Sequence, residues 1–138
     1  MIWFTPSEHK KHVYSKLQDH IPEIEWPAIW QKLVQINSLK LQRDAVILCH
    51  SYQRPEIFHG CADVTGDSLW LAREAQKANA KVIVQAGVLF MAETSKVLNP
   101  TKTVLIPDTR AGCSLAASIT DRKSTRLNSS HVSESRMP

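Results

Sequence analysis

No apolar run in the 138 residues approaches the roughly 18 consecutive residues that a membrane-spanning helix needs. The opening Met1-Ile2-Trp3-Phe4-Thr5-Pro6 has no basic stretch followed by a long apolar core, so no secretory signal is expected. Cysteine is scarce. Cys49, Cys61 and Cys113 are odd in number and far apart, which argues against a disulfide framework and for a reducing, cytoplasmic compartment. Neither a G-x-G-x-x-G fingerprint nor a Walker motif is present, so dinucleotide and P-loop readings lack support. The net charge is only +4, and residues 121–138 carry half of it through Arg122, Lys123, Arg126 and Arg136 against Asp121 and Glu134. The remaining +2 is too little to argue for a nucleic-acid partner. With 43% apolar and 22% charged residues, the composition is that of a single soluble globular domain with no membrane contact.

Residues 1–43 read as a two-helix N-terminal arm. Ser7 is a candidate N-cap, and Val13, Leu17 and Ile21 recur every fourth residue until Pro22 interrupts. A second helix begins near Pro27, with Trp26, Ile29, Trp30, Leu33 and Val34 on one face. Tryptophans in such a stripe are more often core or docking surface than ligand site, so the arm is expected to pack on something larger.

From Asp44 the period changes. Ala45–Cys49 is a short continuous apolar run, as expected of a strand buried on both faces of a parallel sheet, and 81–86 and 103–106 repeat it. Between them lie a helical segment at Ser68–Asn79 and another at Phe90–Leu98, the latter closed by Asn99-Pro100. A further short helix is expected at Ser114–Ile119. Alternating strands and helices predict an α/β fold, a three-layer αβα sandwich with a short parallel sheet, over residues 44–120.

Residues 121–138 differ in kind. They hold five serines, no aromatic residue and no period, which reads as a disordered tail. The string also looks like the translation of a sequencing adapter, in which case the natural protein departs near Thr120. The tail is excluded from the fold reading on that ground.

In open parallel sheets ligands bind beyond the carboxyl ends of the strands. Here those ends are His50-Ser51-Tyr52-Gln53, Gly87-Val88-Leu89-Phe90-Met91, and Pro107-Asp108-Thr109-Arg110-Ala111-Gly112-Cys113-Ser114. His50 can act as acid, base or anion-binding cation, and Tyr52 can orient or protonate a substrate oxygen. The alternative is a pair that merely closes a strand end. Gly66-Asp67-Ser68 opens a helix whose free N–H groups suit a carboxylate or phosphate, though a plain turn and N-cap is the commoner reason for such a start. Cys113 at a helix start has the setting that favours a thiolate. Cys49 and Cys61 read as small buried hydrophobes, and no spacing in the chain builds a complete metal site.

The same segments resemble the quinolinate synthase family. The resemblance runs from about Asp44 to Thr120 through His50–Ile57, Ala62–Leu69, Gly87–Thr94, Leu98–Asp108 and Ala111–Ala116, in the family's order and spacing. It implies the first of three pseudo-symmetric α/β domains, each lending one cysteine to a [4Fe–4S] cluster with an open iron. The implied reaction condenses iminoaspartate with dihydroxyacetone phosphate in NAD biosynthesis, releasing phosphate and two waters. L-Aspartate oxidase is the implied source of iminoaspartate. Carried over to this chain, Cys113 is the metal ligand, and His50 and Ser68 bind the substrate carboxylates. Tyr52, with His50, is catalytic, and Phe90 and Met91 line the pocket. Ser51, Cys61, Trp70 and Leu89 depart from the family pattern, at positions without an assigned role. Family chains are more than twice as long, and their other two ligand cysteines have no counterpart here, so this chain alone is expected to be inactive. A non-catalytic α/β module that binds a small dicarboxylate or phosphate is the alternative reading.

Overall fold

The computed structural model describes residues 6–118; the proposed tail lies outside them. The elements are α1 (Pro6–Leu17), α2 (Trp26–Gln42), β1 (Ala45–His50), α3 (Pro55–Gly60), β2 (Val64–Gly66), α4 (Ser68–Lys77), β3 (Val82–Ala86), α5 (Leu89–Leu98), β4 (Thr103–Leu105) and α6 (Ser114–Ala117). The strands form one parallel sheet in the order β2-β1-β3-β4. Among the described residues no helix is long and apolar enough to cross a membrane.

Alternation along the strands sorts the core into two layers. Ile47, Cys49 and Ala86 face a cluster built from Val13, Leu17, Ile21, Trp26, Leu33 and Cys61, so α1, α2 and α3 cover that face. Leu48 and Ile83 face Leu71, Ala75 and Met91, so α4 and α5 cover the other. The result is the expected αβα sandwich, with the two N-terminal helices inside its first layer.

Three details differ from the sequence reading. A fourth strand, β2, pairs Leu48 with Val64 and His50 with Gly66; three residues are too few to carry a period. On α2, Val34 is turned to solvent, 48% exposed. The inward-facing stripe continues instead from buried Leu33 to half-buried Asn37, whose Nδ2 donates to the carbonyl of Gly60 at 3.0 Å. Finally, α1 begins at Pro6, ahead of Ser7.

Gly60 permits that α2–α3 approach, because a Cβ there would lie 2.6 Å from Leu33 Cδ2. Asp44 takes the left-handed conformation, φ 48°, to turn the chain from α2 into β1. Its carbonyl accepts from Lys81 and Val82, which ties that turn to the start of β3.

The chain runs from β1 outward to β2, then crosses back over β1 to β3. The connections leaving β1 and β3 therefore lie on opposite faces, and the crevice between their carboxyl ends is a topological switch point. On the α1–α3 face, β3 and β4 are only partly covered. An apolar trough of about 550 Å³ remains there between Ile36 and Leu39 of α2 and Val84 and Leu105 of the sheet.

Candidate active site

The loop after β1 is held by short-range bonds. Ser51 N–H donates to the Gly66 carbonyl and Gln53 N–H to the His50 carbonyl. Within it the N–H of Tyr52 donates to His50 Nδ1 at 3.4 Å, and the two rings lie with centroids 3.9 Å apart. An Nδ1 that accepts leaves the proton of a neutral imidazole on Nε2.

The Tyr52 hydroxyl donates to Met91 Sδ at 3.9 Å. Burial, then the neighbouring Cys113, pushes the phenol above its ordinary value, while a hydrogen bond with the Val88 main chain pulls the other way. The phenol therefore stays protonated at neutral pH.

Ser68 is the first residue of α4. The carboxylate of Asp67, not Ser68, is the cap and accepts the Trp70 N–H at 2.8 Å. The Ser68 hydroxyl makes no capping bond and lines the site.

The third strand end is shaped by its own contacts. Asp108 accepts from the Arg110 backbone and guanidinium, and the Leu89 N–H donates to the Ala111 carbonyl at 2.7 Å. That last bond ties the approach to Cys113 to the start of α5. Cys113 is half-buried and precedes α6.

These pieces meet in one cavity of about 410 Å³, whose wall includes Tyr52, Ser68, Phe90, Cys113 and Ser114. Residues following all four strands thus share a pocket at the switch point. His50 stands behind Tyr52 rather than on the wall. Met91 is buried, 4% exposed, and reaches the site through the Tyr52 hydroxyl. The wall offers hydroxyl donors, one thiol and an aromatic face, a set suited to a small polar ligand.

Among the described residues no three His, Cys, Asp or Glu side chains gather as a metal site. Cys49 is buried, and burial followed by the nearby Cys61 pushes its thiol up to about 11. Burial also raises Cys61, with Lys40 opposing and Asp63 adding. Both thiols are buried in the cluster on the α1–α3 side of β1, which leaves Cys113 as the one thiol on the cavity wall. The sequence reading passed over a buried polar pair behind the site, Gln85 and Ser95. Their positions within an apolar strand and a helix were the only signal.

Comparison with known proteins bears on this pocket. Residues 34–135 match the family model described as quinolinate synthetase A protein, and the match runs past Thr120 into the stretch set aside above. A quinolinate synthase of Sinorhizobium medicae is 59% identical over 119 residues, covering 85% of this chain and 33% of the relative. Quinolinate synthase 2 of Mesorhizobium japonicum is 64% identical over 108 residues, covering 78% and 33%. The Xylella fastidiosa quinolinate synthase is 64% identical over 96 residues, covering 70% and 28%. The chain spans about a third of the length of the curated relatives it matches.

Proposed function

The chain belongs to the quinolinate synthetase A family, and from that premise we propose that it supplies one wall of a quinolinate synthase active site. The reaction is the transferase condensation of iminoaspartate with dihydroxyacetone phosphate to quinolinate, phosphate and two waters, in cytoplasmic NAD biosynthesis. The observation that carries the reading is the meeting of Tyr52, Ser68 and Cys113, from three strand ends, on one cavity.

The roles follow from the groups. Ser68, at the positive end of α4, donates its hydroxyl to a substrate carboxylate. His50 is assigned the second carboxylate by the family resemblance; its ring lies behind Tyr52, whose N–H occupies Nδ1 and leaves Nε2–H as the donor. The Tyr52 phenol, protonated at neutral pH, holds a proton at its hydroxyl oxygen for a reacting carbon or leaving oxygen. Phe90 shields the reacting atoms from water, and Met91 backs the phenol. Cys113 would hold one iron of a [4Fe–4S] cluster, which when bound supplies a Lewis-acidic iron. One thiol cannot hold a cluster, so two further cysteines are required and this chain by itself is inactive.

A chimera tests this. Residues 1–118 are joined to the remaining two-thirds of the Sinorhizobium medicae protein and reconstituted anaerobically with iron and sulfide. Iminoaspartate is generated in place by L-aspartate oxidase. The expected results are a broad visible iron–sulfur absorbance and quinolinate formation, both lost in Cys113→Ser and both kept in Cys49→Ser. A folded chimera that binds a dicarboxylate but keeps its cluster in Cys113→Ser would overturn the reading and favour a non-catalytic anion-binding module.

A further inference from the structure

Gln85 is a polar residue in a layer that otherwise excludes polar groups. It lies fully buried on β3, opposite Leu48, on the face covered by α4 and α5. Its Oε1 accepts from Ser95 Oγ at 3.0 Å, and Asn99 Nδ2 donates to the Ser95 carbonyl at 3.0 Å. Its Nε2 has no hydrogen-bond partner among the described residues. Exchanging the amide oxygen and nitrogen leaves the difficulty in place, because one of the two atoms still faces away from Ser95. An apolar side chain would fill the layer without that desolvation cost.

Gly87 shows what the unpaired edge faces. A Cβ built on Gly87 would lie 3.6 Å from Gln85 Nε2 and 2.9 Å from Met91 Sδ. The amide and the thioether therefore border the same small space, at the turn that leads into α5. Met91 Sδ is also the atom that accepts the Tyr52 hydroxyl.

We propose that Gln85 is a positioning residue for Tyr52 that acts through Met91. Its bond to Ser95 sets the register of α5 on β3, and its amide edge confines the Met91 thioether where it meets the phenol. Methionine is flexible enough to need such confinement. The catalytic consequence rests on the reading of the pocket given above, but the geometric relationship does not.

The test uses the whole 138-residue chain labelled with 13C at its methionine methyl groups. There are three methionines, Met1, Met91 and Met137, and Met91→Leu assigns the signal of interest. The expected wild-type spectrum has one Met91 methyl peak with a cross-peak to the Tyr52 ring. Gln85→Leu is expected to shift that peak and abolish the cross-peak. Ser95→Ala, which keeps the amide but releases it, does the same and decides the matter should Gln85→Leu not fold. Gln85→Glu, whose buried carboxyl remains protonated and keeps a donor and an acceptor, restores both features. Persistence of the cross-peak in folded Ser95→Ala or Gln85→Leu overturns the proposal, as does a folded Gln85→Glu that fails to restore it.

In the active chimera Gln85→Leu is expected to lower kcat about tenfold with KM nearly unchanged, as for a lost transition-state contact. An unsubstituted chimera without activity would sink the proposed function, while the spectra would still decide the role of Gln85.

Discussion

The N–H of Tyr52 donates to Nδ1 of His50 across 3.4 Å, and the two rings lie with centroids 3.9 Å apart, tilted by 31°. A residue two positions on thereby selects the tautomer of the histidine. The phenol in the pocket wall and the ring behind it form one unit, and the donor left on a neutral ring is Nε2–H.

That geometry separates two substitutions. Glutamine can place an amide N–H near the position of Nε2, whereas asparagine reaches only the position of Nδ1. In the chimera, His50→Gln is expected to weaken dicarboxylate binding about tenfold and His50→Asn about a hundredfold, the span of one charge-assisted hydrogen bond. Calorimetric titration with a dicarboxylate measures both. A smaller loss in His50→Asn than in His50→Gln would mean that Nδ1, not Nε2, faces the ligand.

The three cysteines should differ in reactivity. Burial holds the Cys49 thiol up at about 11 and raises Cys61 as well, so at pH 8 both remain almost wholly protonated. Cys113 lies on the cavity wall. Iodoacetamide at pH 8 is expected to modify Cys113 alone in the folded chain, and all three after denaturation, as read by peptide mass spectrometry. Modification of Cys49 in the folded chain would contradict its burial.

The contact of Gly60 with Leu33 predicts a size-dependent cost. Gly60→Ala places a methyl group 2.6 Å from Leu33 Cδ2 and is expected to destabilise the fold by about 1–3 kcal/mol. Combining it with Leu33→Ala removes the clash, so the two effects should be less than additive. Urea unfolding of the single and double variants checks this. Full additivity would show that the two residues do not meet.

The trough over β3 and β4 predicts how the isolated chain behaves. Leu39 and Leu105 at its edges are 53% and 49% exposed, and contiguous apolar surface of this kind drives association. The chain is expected to self-associate as its concentration rises, and Leu39→Lys with Leu105→Lys to shift it toward monomer in analytical ultracentrifugation. A wild-type chain monodisperse at high concentration would refute this.

Much of this protein was legible without coordinates, for physical reasons. A strand buried on both faces must be a continuous apolar run, so β1 and β3 declared themselves through Ala45–Cys49 and 81–86. The αβα class followed from their alternation with helices, and the site from the rule that ligands sit at carboxyl strand ends. Tyr52 and Cys113 were singled out by that rule and Ser68 as a helix start, and the three share one cavity wall, whereas His50 lies off it. The three-residue β2 was not, because its strand character comes from pairing with β1 rather than from its own pattern. The outward turn of Val34 was likewise invisible, since only the packing against Gly60 chooses between neighbouring helix faces.

What the sequence determined by itself is therefore the class of fold, the family and the chemistry of the groups, all carried by residue type and spacing along the chain. Tertiary structure alone decided which of those groups meet. It joined Tyr52 to Cys113 through the switch point between β1 and β3, set Met91 behind the phenol, and put Gln85 beside Met91. The reason is that hydrogen bonds and cavities depend on distances between residues far apart in the chain, and those are fixed only when the sheet is assembled.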